Sequence, residues 1–332
     1  MIETADESPV VEILESSEAK TDEATPTRNL PISPADAVGA SFFQALPNMS
    51  RPYLSLARID RPVGIWLLAL PCWIGLAFMA IPDGLQWVNL WWAILFGIGA
   101  VAMRGAGCTW NDITDRDIDA KVERTANRPL PSGQVPLRNA YIFLAAQVFV
   151  GFLVWLCLPG FAKIVALLAV PLVAAYPYMK RITYWPQAWL GLTFNWGILV
   201  AAATVGSIGF SVLVLFSSMA IWTIAYDTIY AMEDREDDAL IGVGSTARLF
   251  GNRAVTAIFC FHLLSAALIA LSGVMVGAGD IGAMTALGFL THGIWQSARL
   301  KRSKERDALA VFKSNVWAGV IVFCGFAIAA IF

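Results

Sequence analysis

Long apolar stretches alternate with short charged segments from about residue 62 to the end of the chain. Each apolar stretch has about the 20 residues that a helix needs to cross a hydrocarbon core about 30 Å thick. The nine stretches are residues 62–81, 88–108, 139–158, 161–178, 186–206, 209–230, 254–276, 279–297 and 313–332. This pattern predicts an all-α integral membrane protein with a bundle of nine transmembrane helices.

The composition supports a membrane location. Hydrophobic residues make up 58% of the chain and charged residues 14%, and the mean hydropathy is +0.63, which excludes an ordinary soluble globular domain. The five cysteines stand singly in apolar segments, and the two histidines lie in separate ones, so we assign them no role. We expect the lipid bilayer as the surroundings and no nucleic-acid partner; the sequence does not predict protein partners.

Residues 1–50 differ from the remainder in kind. They contain nine acidic and two basic residues together with much Ser, Thr and Pro. Such a composition buries too little apolar surface to fold, so it predicts a disordered acidic N-terminal tail followed by a polytopic membrane domain at residues 51–332. Without the tail, the formal charge changes from −2 to +5. The membrane domain is therefore mildly cationic, which suits anionic headgroups or an anionic substrate.

Alternate loops, which would lie on opposite sides of the membrane, differ in charge. Those after the second, fourth, sixth and eighth predicted spans hold most of the Lys and Arg, which places these loops and the N-terminus in the cytoplasm. The segment Arg51–Asp60 predicts a short interfacial helix before the first span. Since the acidic N-terminus resembles neither a secretory signal nor an Arg-rich transit peptide, we expect a bacterial inner membrane rather than a mitochondrial one.

Two acidic clusters follow predicted spans on the cytoplasmic side. Helical spacing places Asp112, Asp115 and Asp119 on one face, with Asn111 one turn before Asp115. The second cluster repeats this arrangement with Asp227, Asp234 and Asp238. A single such aspartate is often just a solvated loop charge. Two facing clusters instead indicate a site, because carboxylates packed this closely repel one another unless a cation neutralises them.

Mg2+ is the cation that we expect at these clusters. It prefers oxygen ligands and often joins protein carboxylates to substrate phosphates. The predicted metal ligands are Asn111, Asp112, Asp115, Asp119, Asp234 and Asp238. Among the acidic residues, we expect a catalytic role for Asp115, Asp119, Asp227, Asp234 and Asp238.

Basic and aromatic residues accompany the acidic clusters. Positive-inside topology alone explains some of these cations, but Arg and Lys beside a metal site also suit phosphate or carboxylate groups. The Tyr residues suit either cation stabilisation or interfacial anchoring. The predicted substrate-binding residues are Arg61, Arg116, Lys121, Arg128, Tyr176, Lys180, Arg181 and Tyr230.

The motifs Asn111-Asp112-x-x-Asp115-x-x-x-Asp119 and Asp234-x-x-x-Asp238 resemble the paired Asp-rich motifs of the UbiA superfamily of intramembrane prenyltransferases. The longer phrases beginning at Asp60, Arg124, Tyr176 and Tyr226 are similar to the branch that prenylates 4-hydroxybenzoate. The resemblance covers about residues 51–332. It implies nine helices around a central cavity that opens to cytoplasmic cap loops.

The resemblance also implies a reaction. A polyprenyl group moves from polyprenyl diphosphate to the ring carbon ortho to the hydroxyl of 4-hydroxybenzoate, and diphosphate leaves, as in ubiquinone biosynthesis. Mg2+ would assist the leaving group, Arg61 or Arg181 would bind the acceptor carboxylate, and Asp227 would activate the phenol. The alternatives are another acceptor, such as homogentisate, a naphthoate, a porphyrin or a sugar phosphate, or an Asp-lined membrane transporter.

Overall fold

The computed structural model describes residues 47–121, 123–233, 235, 239 and 242–332, without the side chains of residues 123 and 124. These residues lie within one compact unit, Ser33–Phe332. The predicted tail, except for its last four residues, lies outside the described part of the chain. The described helices are α1 (Arg51–Leu56), α2 (Val63–Met79), α3 (Trp87–Asp119), α4 (Glu123–Ala126), α5 (Leu137–Cys157), α6 (Gly160–Ile182), α7 (Pro186–Val205), α8 (Phe210–Glu233), α9 (Thr246–Phe250), α10 (Ala254–Val276), α11 (Gly279–Ser303), α12 (Ala308–Lys313) and α13 (Asn315–Ala329).

The all-α prediction is confirmed for the described residues, which contain no strand. Each predicted span coincides with a helix. Among the described residues, seven helical segments are long and apolar enough to cross a membrane: α3, α5, α6, α7, α8, the segment from α9 through α10, and the segment from α12 through α13. The helix α2 is apolar but has 17 residues, and α11 has 25 residues with more polar positions.

The helices pack through a continuous apolar core with a few buried polar links. At the interface of α8 and α10, the hydroxyls of Ser218 and Ser265 each donate to the other residue's carbonyl, at 2.8 and 2.9 Å. The Trp222 indole donates to the Asn315 side chain at 3.0 Å, which links α8 to α13. Such bonds fix helix register in a bilayer, where exposed polar groups find no water.

The helix α3 is much longer than a membrane requires. Its 33 residues, from Trp87 to Asp119, correspond to about 50 Å of helix, whereas the hydrocarbon core is about 30 Å thick. The predicted span ended at residue 108, and the helix continues through the whole first acidic motif. The motif is therefore held on a rigid extension of a membrane helix rather than on a loop.

A tight turn joins α1 to α2 and carries Arg58 into the protein. Arg58 has φ of 56°, in the left-handed region that costs a non-glycine residue about 1 kcal/mol or more. The short helix predicted before the first span is confirmed as α1, at Arg51–Leu56. The turn after it places the Arg58 guanidinium against α3, where it contacts the first acidic motif.

Candidate functional site

A cavity of about 300 Å3 lies where the C-terminal ends of α3, α6 and α8 meet. We call this end of the bundle the charged end. The lining is completed by the segment before α2 and the beginning of α2, by α4 and the segment after it, by the beginning of α7, by residues 243–245 and by the end of α12. The volume is at the small end of the range for ligand sites in proteins.

The first acidic motif forms one buried face, as its spacing predicts. Asp112, Asp115 and Asp119 are at most 6% exposed. Arg128 donates to Asp119 at 2.7 Å and to Asp112 at 3.4 Å. The carboxylates therefore share cations that come from residues distant in the sequence, which offsets the repulsion between them.

Arg58 binds Asp112 with a single nitrogen. Its Nη2 lies 2.8 and 2.9 Å from the two carboxylate oxygens, and its Nη1 donates to the Ser55 carbonyl at 2.8 Å. Burial is the largest influence on the pKa of Arg58 and by itself would lower it, but the neighbouring acidic groups, Asp112 first among them, together outweigh burial, and the pKa lies above its ordinary value. The Arg58 guanidinium therefore stays charged at physiological pH.

We expect Arg58→Ala to lower the free energy of unfolding by about 3 kcal/mol, because it leaves the buried Asp112 carboxylate partly uncompensated. Thermal unfolding of the protein in detergent measures this change. In the Arg58→Ala background, Asp112→Asn should restore part of the loss, since the unpaired charge is then gone. Additive losses from the two substitutions would contradict the pairing.

Asp115 connects α3 to the end of α6. Its side chain is fully buried, and its two oxygens accept hydrogen bonds from Lys180 and Arg181. The carbonyl of Lys180 in turn accepts from the backbone N–H of Gly244 at 2.8 Å. These contacts connect α3, the end of α6 and the segment at Gly244 at the charged end.

The structure divides the predicted substrate-binding residues into two groups. Those that line the cavity are Arg61, Arg128, Tyr176, Lys180 and Tyr230. The other three do not line it: Arg116 pairs with the neighbouring Asp117 at 3.0 Å, Lys121 is exposed, and Arg181 is held by Asp115. Substrate contacts of these eight residues stay predictions.

Among the predicted catalytic and metal-binding residues, Asn111, Asp119 and Asp227 line the cavity. Asp112 and Asp115 lie behind it, bound to the cations described above. Asp234 and Asp238 lie outside the described residues. Within the described part of the chain, no group of three or more His, Cys, Asp or Glu side chains could hold a metal. The cavity-facing donors, an amide and carboxylates, are of the oxygen type that Mg2+ prefers.

Three cavity-lining cations, Arg58, Arg104 and Lys313, were not among the predicted site residues. Arg104 is the most informative, because it lies within the predicted span 88–108. Its guanidinium lies over the Phe194 ring, 5.3 Å from the ring centroid, and its Nε is buried without a hydrogen-bond partner among the described residues. A lone arginine within an apolar span is costly in a bilayer, and this signal in the sequence would have identified Arg104 as a candidate site residue.

The cavity is cationic overall within the described residues. Six Arg or Lys side chains line it, against the carboxylates of Asp119 and Asp227. A cavity with this excess of cations at one end of a helical membrane protein suits an anionic substrate. Residues 68–328 match the UbiA prenyltransferase family. The chain belongs to this family, which confirms the resemblance noted in its Asp-rich motifs.

Curated relatives carry one common name. The 4-hydroxybenzoate polyprenyltransferase, mitochondrial, of Aedes aegypti is 44% identical over 86% of this chain and 64% of its own length. The Bos taurus enzyme of the same name is 44% identical over 88% of this chain and 79% of its own length. The Homo sapiens enzyme is 42% identical over 86% and 77%. The chain thus spans somewhat less than two thirds of the mosquito relative and over three quarters of the two mammalian ones.

Solved structures share the fold. The apo structure of a UbiA homolog from Aeropyrum pernix K1 has a TM-score of 0.67 and 25% identity, over 79% of this chain and 97% of that one. A UbiA homolog from Archaeoglobus fulgidus bound to GPP and Mg2+ has a TM-score of 0.64 and 16% identity, over 84% and 99%.

The predicted bacterial inner membrane is wrong. The curated relatives described above are mitochondrial proteins of animals, and a plant relative from Arabidopsis thaliana that is 43% identical is mitochondrial as well. The prediction depended on the acidic composition of the first fifty residues, which lie outside the matched family region. Composition at that end does not determine the membrane in which the helices reside.

Proposed function

We propose that this protein transfers a polyprenyl group from polyprenyl diphosphate to the ring carbon ortho to the hydroxyl of 4-hydroxybenzoate and releases diphosphate, a step of ubiquinone synthesis. The relatives of that name and the family membership support the proposal. The observation that carries it is the arrangement of cations in the cavity, which suits two different anionic groups at two depths.

The deeper position belongs to Arg104. It lies seven residues, or about 10 Å along α3, before Asn111, on the side away from the charged end. An arginine at this depth, with an unpartnered Nε among the described residues, suits a carboxylate that it can bind bidentately. We therefore assign the acceptor carboxylate to Arg104, in place of the predicted Arg61 or Arg181.

The shallower position suits the diphosphate. Arg61, Arg128 and Lys180 line the cavity together with Asp119, and Lys313 lines it from the end of α12. Their charges match an anion with several oxygens, and Arg128 and Lys180 already lie within reach of the acidic motif. Each can exchange a carboxylate for a phosphate oxygen without leaving the cavity.

Mg2+ fits the acidic motifs in donor chemistry, and we propose that Asn111, Asp115 and Asp119, with Asp234 and Asp238, hold it. When bound, it supplies electrostatic stabilisation of the leaving diphosphate. Asp112 has a different role in this proposal, because Arg58, which binds both of its oxygens, is largely buried. Lys180 and Arg181, which bind Asp115, are about one third exposed and can turn away to release that carboxylate. Asp112 anchors the cations that shape the first motif.

The residues of the cavity account for the remaining chemistry. The allylic C–O bond breaks with its electron pair on the diphosphate, the ring carbon forms the new C–C bond, and the ring then loses a proton. Asp227 lines the cavity between two tyrosines of α8, where it can polarise the phenol hydroxyl or accept this proton. Tyr176 and Tyr230 also line it, and their ring faces can stabilise the allylic cation.

A membrane location follows from the donor. A polyprenyl chain is insoluble in water, and its burial is favourable by roughly 25 cal/mol per Å2. We propose that all nine predicted spans cross the bilayer, including the shorter α2 and the more polar α11, and that they surround a central cavity open to the charged end. The reactive diphosphate then meets the aromatic acid while the tail stays among apolar helices.

The test is a direct assay. Membranes that contain the protein are incubated with 4-hydroxybenzoate and a long-chain polyprenyl diphosphate, with Mg2+, with EDTA, or with EDTA followed by excess Mg2+. We expect mass spectrometry to detect the prenylated acid with Mg2+, its loss with EDTA and its return when Mg2+ is restored. Membranes from the same host without the protein are the control. Absence of product from folded protein would contradict the proposed acceptor.

A further inference from the structure

The position of the Arg104 guanidinium is set by packing. In the described part of the chain it makes no hydrogen bond and no ion pair; instead it lies over the Phe194 ring, 5.3 Å from the ring centroid. The Arg104 guanidinium is therefore held in place by packing alone, and the second surface against which it packs is on α2.

Gly64, in the first turn of α2, lies directly against the guanidinium. It is buried and lines the cavity. A Cβ atom at this position would lie 2.5 Å from Nε, 2.7 Å from Nη2 and 2.9 Å from Cζ of Arg104. All three distances are shorter than real side-chain contacts allow, so the guanidinium occupies the space where any other residue would have its side chain.

The conformation of Gly64 does not explain why glycine is present. Gly64 is absent from the residues with positive φ, and it lies within a regular helix, where glycine is less favourable than alanine by about 1 kcal/mol. The contact with Arg104 offsets this local disadvantage. Alanine at this position would displace the end of a flexible side chain rather than backbone, so the bundle could form with the guanidinium moved.

We propose that Gly64 is a positioning residue that determines acceptor specificity: its missing side chain lets the Arg104 guanidinium occupy the place where it binds the carboxylate of an aromatic acid. This inference rests on the proposed function. A displaced guanidinium loses the acid but leaves the diphosphate end of the cavity intact, because Arg128 and Lys180 come from other segments.

The experiment uses the full-length Gly64→Ala variant and two acceptors, 4-hydroxybenzoate and its neutral analogue 4-hydroxybenzamide. We expect the KM for 4-hydroxybenzoate to rise at least about tenfold, while the KM for polyprenyl diphosphate stays within about twofold. The preference for the acid over the amide should fall by about the same factor. A lower amount of folded protein would reduce the rates with both acceptors by the same factor and leave this preference unchanged.

Gly99→Ala is the matched control. Gly99 is five residues before Arg104 on α3 and lies on a different face of that helix. Its Cβ would meet Cγ1 of Val154 at 3.5 Å, which is an ordinary van der Waals contact. Its kinetics should equal those of the unaltered protein. A second test is Gly64→Ala in an Arg104→Gln background, where it should not raise the acceptor KM further. Additive effects, or an unchanged acid preference in Gly64→Ala, would overturn the proposal.

If Gly64→Ala fails to fold, Phe194→Leu tests the same packing from the ring that the guanidinium covers. The acid preference should fall in this variant too, and an unchanged preference would overturn the packing argument. The proposed function fails separately: in that case the unaltered protein itself prenylates neither acceptor.

Discussion

Arg104→Gln should lower kcat/KM for 4-hydroxybenzoate by about 100-fold, which corresponds to about 2.8 kcal/mol. Glutamine is neutral and cannot form the bidentate contact by which arginine binds a carboxylate. The loss should appear mainly in the acceptor KM, and the KM for polyprenyl diphosphate should change little. Steady-state kinetics with each substrate varied in turn measures both constants.

The control for this variant is Arg138→Gln. Arg138, in the first turn of α5, is exposed and does not line the cavity. We expect its kinetics to match those of the unaltered protein. The assignment of Arg104 would be wrong if Arg104→Gln kept its preference for 4-hydroxybenzoate over 4-hydroxybenzamide.

Asp115→Asn should reduce turnover by about 1000-fold or more, with both KM values of any residual activity less affected. The substitution keeps the shape of the side chain but removes the charge that Lys180 and Arg181 bind, and it weakens the acidic site proposed for Mg2+. Both cations are about one third exposed, so water can solvate them when the carboxylate is gone. We therefore expect the bundle to remain folded.

Asp117→Asn is the matched control, because Asp117 belongs to the same motif segment but is 83% exposed. It should keep full activity. Size-exclusion behaviour and thermal unfolding in detergent establish that both variants are folded. If Asp115→Asn instead unfolded while Asp117→Asn did not, the role of Asp115 would be structural.

Local periodicity predicted the helices well, because each apolar stretch must satisfy its own backbone hydrogen bonds in a bilayer. The prediction of one face for Asp112, Asp115 and Asp119 is confirmed for the same reason, since it depends only on residues within two turns of α3. The predicted span ended at residue 108, but the spacing of the acidic motif already assumed a continuing helix, and the helix does continue to Asp119. Hydropathy marks where the membrane ends and does not mark where the helix ends.

Long-range pairing could not be predicted in this way. Arg58 reaches Asp112 across 54 residues of sequence, and nothing in the spacing separates Arg128, which enters the cavity, from Arg116, which turns away. Arg104 could have been predicted as a site residue, because a charged side chain within a membrane span is costly and is rarely found outside functional sites. The contact between Gly64 and Arg104 joins two helices and depends on tertiary packing that no local pattern contains.

The uninterrupted helix α3 fixes the spacing of two residues of the site. It carries Arg104 near its middle and Asp119 at its end, fifteen residues or about 22 Å further along a single rigid rod. Because the helix is continuous between these two residues, it holds a fixed distance between the end proposed to bind the carboxylate and the end proposed to bind the diphosphate. Acceptors would then be selected by length. An acid with one more carbon between its carboxylate and its ring would place the wrong ring atom at the diphosphate end of the cavity.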